Sequence, residues 1–333
     1  MEIGLDVVVF VAGAGLSLGT SWVLVTRLER VGERFGLSEA LLGLVAALAA
    51  DTPEITSAVT ALVHHDKSVG AGVVIGSNVF NLAALLGLGA VVAGRLRIDR
   101  KVIALSGAVA LWVAIVCLAS VSGVVGTWAG LGLAMGVFVP YVVVLGAHRR
   151  GLAWLPLPQR WVKWLTLAIR EEELELIGAI RPRRGRPRDA LVATVALVVV
   201  VGASVTMERA GSALGVHYAV PGIIVGGLIL AAATSLPNAV AAVHLAVKGR
   251  GSAVMGTTHN SNSLNILAGL LVPALVVGLP RSSGGTILVS DWYLGLTAVT
   301  LIGAYLSRGF SRRLGLVIIC GYAAFVVSVI LVS

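Results

Sequence analysis

The chain has 333 residues, of which 57% are hydrophobic and only 12% charged, and its formal net charge is +9. A mean hydropathy of +0.97 excludes a water-soluble globular domain, whose charged share is about 25%, and points to a membrane protein. The positive balance by itself would suit a nucleic-acid partner, but the placement of the basic residues along the chain argues against one.

A hydrocarbon core about 30 Å thick is crossed by a helix of roughly 20 apolar residues. The chain offers ten such stretches, at 5–26, 37–63, 69–93, 102–122, 128–147, 190–206, 219–247, 253–277, 286–306 and 314–332. They are rich in Leu, Val and Ala without period-two alternation, so the expected fold is an all-α polytopic membrane protein with ten transmembrane helices, not a barrel. Before the first span, Met1-Glu-Ile-Gly-Leu-Asp6 holds two acids and no base. It lacks the basic region of a cleavable leader, and the span is expected to stay. Cys117 and Cys320 fall inside spans without CxxC spacing and read as small buried apolar residues.

Loops after odd-numbered spans hold 22 of the 25 Lys and Arg residues, leaving Lys67, Arg209 and Arg281 on the other side. The positive-inside rule then puts both termini outside and the central loop in the cytoplasm, as expected for a multi-pass protein of the plasma (inner) membrane. Membrane lipid is the partner these charges imply. No Gly-x-x-x-x-Gly-Lys loop is present, so neither a nucleotide nor a nucleic-acid partner is expected.

The long polar segment divides the chain into a first five-helix repeat (1–147), a cytoplasmic amphipathic loop (148–189) and a second five-helix repeat (190–333). Within the loop, Trp161, Trp164, Leu165 and Leu167 to Ile169 alternate with Arg160, Lys163 and Arg170, the pattern of a helix lying on the inner membrane surface. The acidic run Glu171 to Glu175 lacks the spacing of a calcium loop and reads as part of the tether. Arg181 to Arg188 reads as an element for lipid headgroups.

Two halves of the sequence repeat each other. Ala49-Ala-Asp-Thr-Pro-Glu54 and Gly76-Ser-Asn-Val-Phe-Asn81 return, at an offset of 184, as Ala233-Thr-Ser-Leu-Pro-Asn238 and Asn260-Ser-Asn-Ser-Leu-Asn265. The same offset pairs Gly43 with Gly227, Gly72 with Gly256 and Asn78 with Asn262. Five spans per half make the repeat inverted. Proline and polar residues interrupting apolar spans in matching places of two halves are the sign of a transporter with a midplane site, and Pro53 and Pro237 are expected to break spans two and seven.

Asp51 and Glu54 read as the only carboxylates deep in a span, where a charge needs a cavity and a partner. Their i, i+3 spacing puts them on one helix face. Ser77 with Asn81, and Ser261 with Asn265, share faces at i, i+4. With Thr234, Ser235 and Asn238 they form a two-fold set of hard oxygen donors, which suits Na⁺, Ca²⁺ or Mg²⁺. For any single Ser or Asn the plainer reading is hydrogen bonding between helices. The plainer readings also make Gly72, Gly76, Gly132 and Gly136 close-packing sites and give His244 and His259 satisfied hydrogen bonds, with proton coupling at His259 the alternative.

The two motifs resemble the alpha repeats of the calcium/cation antiporter superfamily, to which sodium/calcium exchangers belong. Gly76-Ser-Asn-Val-Phe-Asn81 is close to that family's Gly-Ser-Asn-Ile-Phe-Asn, and Thr234-Ser-Leu-Pro237 matches its Thr-Ser-Leu-Pro-Glu up to the last residue. The resemblance implies that Glu54, Ser77, Asn81, Thr234, Ser235, Ser261 and Asn265 line ion sites. The chain departs from the family pattern at Asn238, where an acid is usual, at Asn265, where some relatives carry Asp, and at Asp51, where Ser is usual. Both negative charges therefore come from one repeat.

The expected function is antiport of small inorganic cations without a cofactor, Ca²⁺ against Na⁺. An unfilled pair of charges in a low-dielectric site is costly, which favours exchange. A cation/proton antiporter, with protons replacing the counter-ion, stays open as an alternative, and a metal-dependent intramembrane enzyme as a remote one.

Overall fold

The structure, a computed structural model, describes residues 3–35, 37, 39–64, 66–146, 158–177, 185–279 and 283–332. The membrane-type helices are α1 (Ile3–Arg34), the pair α2 (Glu39–Ala50) and α3 (Thr52–Val63), α4 (Lys67–Ala93), α5 (Arg100–Val121) and α6 (Thr127–Gly146). A further helix, α7 (Gln159–Ile177), separates them from α8 (Pro187–His217), α9 (Gly222–Val247), α10 (Gly251–Val277), α11 (Gly284–Ser307) and α12 (Arg312–Val332). Among the described residues nine helices are long and apolar enough to cross a bilayer, and α2 with α3, bent by 49°, makes the tenth span. Helix starts are marked by side-chain caps. Asp66 accepts from Val69 N at 3.2 Å, Asp99 from Lys101 N at 2.7 Å and Ser283 from Thr286 N at 3.2 Å, covering amides that a helix start leaves open.

α1 and α8 run longer than their apolar stretches. At 32 residues, α1 extends about 48 Å, beyond any hydrocarbon core. Apolarity ends where lipid ends, but helical hydrogen bonding continues through Arg27, Arg30 and Arg34 at one end of the pair and Glu208 and Arg209 in α8. The two helices lie against each other along their length: Ser17 and Ser204 hydroxyls are 3.0 Å apart, and Arg27 Nη1 donates to Asp189 Oδ1 at 2.6 Å.

Loops sort to two ends as the alternation of basic residues requires. At one end, β1 (Arg95–Arg97) pairs antiparallel with β2 (Gly309–Ser311), and the backbone of Arg97 touches Gly251. These are the loops after spans three, seven and nine. At the other end the loops after spans two, six and eight gather: Arg209 lies 2.9 Å from His64, Gly222 abuts Ser68 and Asp66, and Gly278 abuts Lys67. The ribbon is an addition to the helical expectation. Its close pairing needs Gly309, whose φ is +120° and whose hydrogen faces the Leu96 carbonyl where a Cβ would clash.

α4 and α9 approach backbone to backbone. Gly76 lies against Gly227 and Gly226 against Val69, with no room for a Cβ, as small residues permit between membrane helices. Gly132 and Gly136, expected to do the same, face open space. Cys117 is buried, but Cys320, expected to be, is exposed on the outer side of α12. The reason is common to both corrections: in a membrane protein an apolar or small residue is at home on the outer surface as well as inside. Helix α7 packs on α2, α5 and α10, with Ala168 and Ile169 buried and Trp161 half exposed. The side chains of Glu171 to Glu175, together with Arg181 to Arg184 and Arg281, lie outside the described residues.

Candidate functional site

Asp51 occupies the bend between α2 and α3, and Pro53 stands in the first turn of α3, where the missing N–H is harmless. The same proline withdraws the helical donor from the carbonyl of Ala49. Around the bend, Asp51 N still donates to Ala47 O at 2.8 Å and Ile55 N to Asp51 O at 2.9 Å. The bend thus turns the chain without unravelling it. Span seven behaves differently. Pro237 is carried inside α9, and the irregularity sits earlier, as a π-helical turn at Val225–Leu230, so the expected break there is not found.

All nine residues singled out in the sequence are buried, and Asp51 and Glu54 are 0% exposed. Four of them meet directly. Asn238 Nδ2 donates to Asp51 Oδ1 at 2.8 Å and to Glu54 Oε1 at 3.2 Å, and Ser261 Oγ donates to Asp51 Oδ1. Ser235 interacts with Glu54 without closing a well-formed hydrogen bond. The hydroxyls of Ser77 and Thr234 instead donate to their own helices, Ser77 to Val73 O and Thr234 to Leu230 O at 2.9 Å, which leaves oxygen lone pairs free.

Asn81 and Asn265 belong to a second constellation. Asn78 Nδ2 donates to Asn262 O at 2.9 Å and Asn262 Nδ2 to Asn78 O at 3.1 Å; Asn81 Nδ2 donates to Asn262 Oδ1 at 3.1 Å and Asn265 Nδ2 to Asn78 Oδ1 at 3.2 Å. Each bond is the image of another under the offset of 184, so this quartet marks the pseudo-twofold axis. Asn78 and Asn262 lie outside the site set predicted from the sequence, although their matching register across the repeat is a visible signal. π-helical turns follow at Leu82–Leu88 and Asn265–Leu271, in nearly the same register of each half.

What remains unpartnered is informative. Asp51 Oδ2, Glu54 Oε2, Asn81 Oδ1, Asn265 Oδ1 and Ser235 Oγ are buried and make no hydrogen bond. Such atoms are costly to leave bare, and all are oxygens, the donors that hard cations take. Among the described residues no three His, Cys, Asp or Glu side chains cluster, so the arrangement offers two carboxylates set among neutral oxygens. His259 Nδ1 lies 3.4 Å from Ser106 Oγ while Nε2 is unpartnered, and His244 is exposed. His259 is thus satisfied at one ring nitrogen and not at the other.

Two further carboxylates lie on the membrane-type helices, nearer their ends. Glu208 is buried in α8 and accepts from Ser212 Oγ at 2.9 Å, and Asp291 is exposed on α11. Neither touches the central constellation.

The family model for the sodium/calcium exchanger protein matches residues 5–147 and again 189–331. The chain belongs to the sodium/calcium exchanger family. Sodium/potassium/calcium exchanger 4 of Mus musculus is 30% identical over 121 residues, which span 34% of this chain and 20% of that protein. The inner membrane protein YrbG of Escherichia coli K12 is 26% identical over 245 residues, 73% of this chain and 71% of YrbG. The solved sodium-calcium exchanger NCX_Mj superposes over 98% of this chain and 99% of its own, with a TM-score of 0.60 at 17% identity. At that identity it establishes the fold, ten spans in two inverted five-helix repeats.

Proposed function

We propose that the protein is a secondary antiporter that exchanges Ca²⁺ for Na⁺ by alternating access. The observation that carries this is the pair Asp51 and Glu54, fully buried at a helix bend, each with one oxygen unpartnered and faced by neutral oxygens. Two charges held away from water cost several kcal/mol per ion without a partner, so one ion departs most readily when another replaces it. Asp51, Glu54, Ser77, Asn81, Thr234, Ser235, Asn238, Ser261 and Asn265 are the proposed lining. Two carboxylates match the charge of one divalent ion. The names of the relatives, sodium-calcium and sodium/potassium/calcium exchangers, point to the same cargo.

Proton-coupled exchange is the second reading, and one observation favours it: the second repeat offers the amide of Asn238 in place of an acid, leaving the two carboxylates of the first repeat to take up protons in turn. Calcium uptake into proteoliposomes decides. Uptake driven by an imposed sodium gradient supports the first reading; uptake driven by a pH gradient and indifferent to Na⁺ supports the second. Absence of any counterflow would overturn both and revive an enzyme.

The proposed orientation has both termini outside and the segment 148–189 in the cytoplasm of a plasma (inner) membrane, following the positive-inside rule. Cysteines placed singly at Arg184 and Gly284, in a chain lacking Cys117 and Cys320, should react with an impermeant thiol reagent from opposite sides. Labelling of both from outside sinks this orientation.

A further inference from the structure

Position 238 is the mate of Glu54 across the pseudo-twofold axis, and it holds an amide. Its nitrogen sits 2.8 Å from Asp51 Oδ1 and 3.2 Å from Glu54 Oε1. A primary amide carries two N–H donors on one nitrogen and a single acceptor oxygen, so one nitrogen serves both carboxylates together. The chemistry also settles which end points inward, because a carbonyl oxygen set against two carboxylate oxygens would be repelled. The side chain is 2% exposed, and bulk water does not do this work. A cation shared by Asp51 and Glu54 needs the ground the nitrogen now holds.

We infer that Asn238 is a built-in stand-in for the transported cation: it donates to both carboxylates while the site is unloaded, and its amide turns over on loading to offer Oδ1 as a ligand. The inference rests on the cation site proposed above and gives that site a defined unloaded state. The terminal torsion of asparagine is broad and roughly two-fold, so the turnover requires no movement of α9. A carboxylate at 238 would behave in the opposite way. It has no hydrogen to donate when ionised, and the unloaded site would hold three like charges instead of two. The amide therefore lowers affinity for the ion and eases its release.

Thermal unfolding of the purified protein, in EDTA and in Ca²⁺ or Na⁺, tests this without any transport measurement. The parent comes first. If neither ion moves its midpoint, the cation site itself fails, whatever Asn238 does. Given a shift in the parent, Asn238→Asp should melt lower than the parent in EDTA and bind Ca²⁺ more tightly, by roughly ten-fold, since a donor has become a third charge. Asn238→Lys should place a permanent ammonium between the carboxylates, giving an EDTA midpoint at or above that of the parent and no response to Ca²⁺. The inference is overturned if Asn238→Asp matches the parent in EDTA and in Ca²⁺ affinity, or if a well-assembled Asn238→Lys still responds to Ca²⁺ as the parent does. Should the lysine variant not assemble, the aspartate variant decides alone.

Discussion

The helix bend at Asp51 and its counterpart in α9 share a proline and a position in the repeat, yet only the first is bent. Pro53 begins a new helix after a 49° turn, whereas Pro237 sits within a continuous α9. Around them the neutral residues keep the symmetry: the quartet of Asn78, Asn81, Asn262 and Asn265 is reciprocal bond for bond. The charges do not. Asp51 faces its donors Asn238 and Ser261 across the site, while Ser235, its mate, makes no well-formed hydrogen bond. The difference teaches that the scaffold is symmetric through uncharged contacts, while both central carboxylates lie in one half.

The sharpest way to break the comparison is Glu54→Gln, which keeps shape and removes one of two central charges. Uncompensating a buried charge costs about 3–5 kcal/mol, so exchange in proteoliposomes should fall by roughly 100-fold or more. A variant that exchanges at the parent rate would remove Glu54 from the principal ligands. By contrast, Asn238→Gln should retain measurable exchange.

Next in size is the transfer of charge between repeats. Asp51→Ser and Asn238→Glu should each impair exchange alone, the first by weakening ion binding, the second by crowding three carboxylates that hold the ion and make transport more pH-dependent, while the double change restores two charges in the usual family arrangement. Exchange by all four proteins should yield a favourable coupling of about 1–3 kcal/mol. Additive losses would assign Asp51 another task, proton coupling foremost.

A smaller effect separates glycines that look alike in sequence. Gly76→Ala drives a methyl into the Gly227 backbone and should destabilise by about 1–3 kcal/mol in chemical unfolding. Gly136→Ala meets open space and should be neutral. Equal losses at both would mean that Gly136 is covered in the native assembly.

The smallest effect tests the symmetry itself. Asn78→Ala and Asn262→Ala each delete reciprocal bonds, for about 0.5–2 kcal/mol in a membrane setting. The two losses should agree, since the bonds are images of each other. A marked inequality in unfolding midpoints would show that the asymmetry of Asp51 and Glu54 reaches the quartet.

Ten spans, the inverted repeat and the sorting of loops to two ends were legible in the sequence, because lipid demands long apolar helices and the charge bias leaves a mark at every loop. The burial of Asp51, Glu54 and the Ser/Asn pairs was legible too, since polar groups within an apolar span turn away from lipid. Tertiary structure alone decided the rest. Whether a proline bends its span is recorded by no local pattern, as Pro53 and Pro237 show. Which glycine packs and which faces outward, which cysteine is buried, and where Asn238 directs its nitrogen are set by neighbours far away in the chain. In a bilayer both faces of a helix are apolar, so hydrophobicity tells lipid from protein interior only once the helices are assembled.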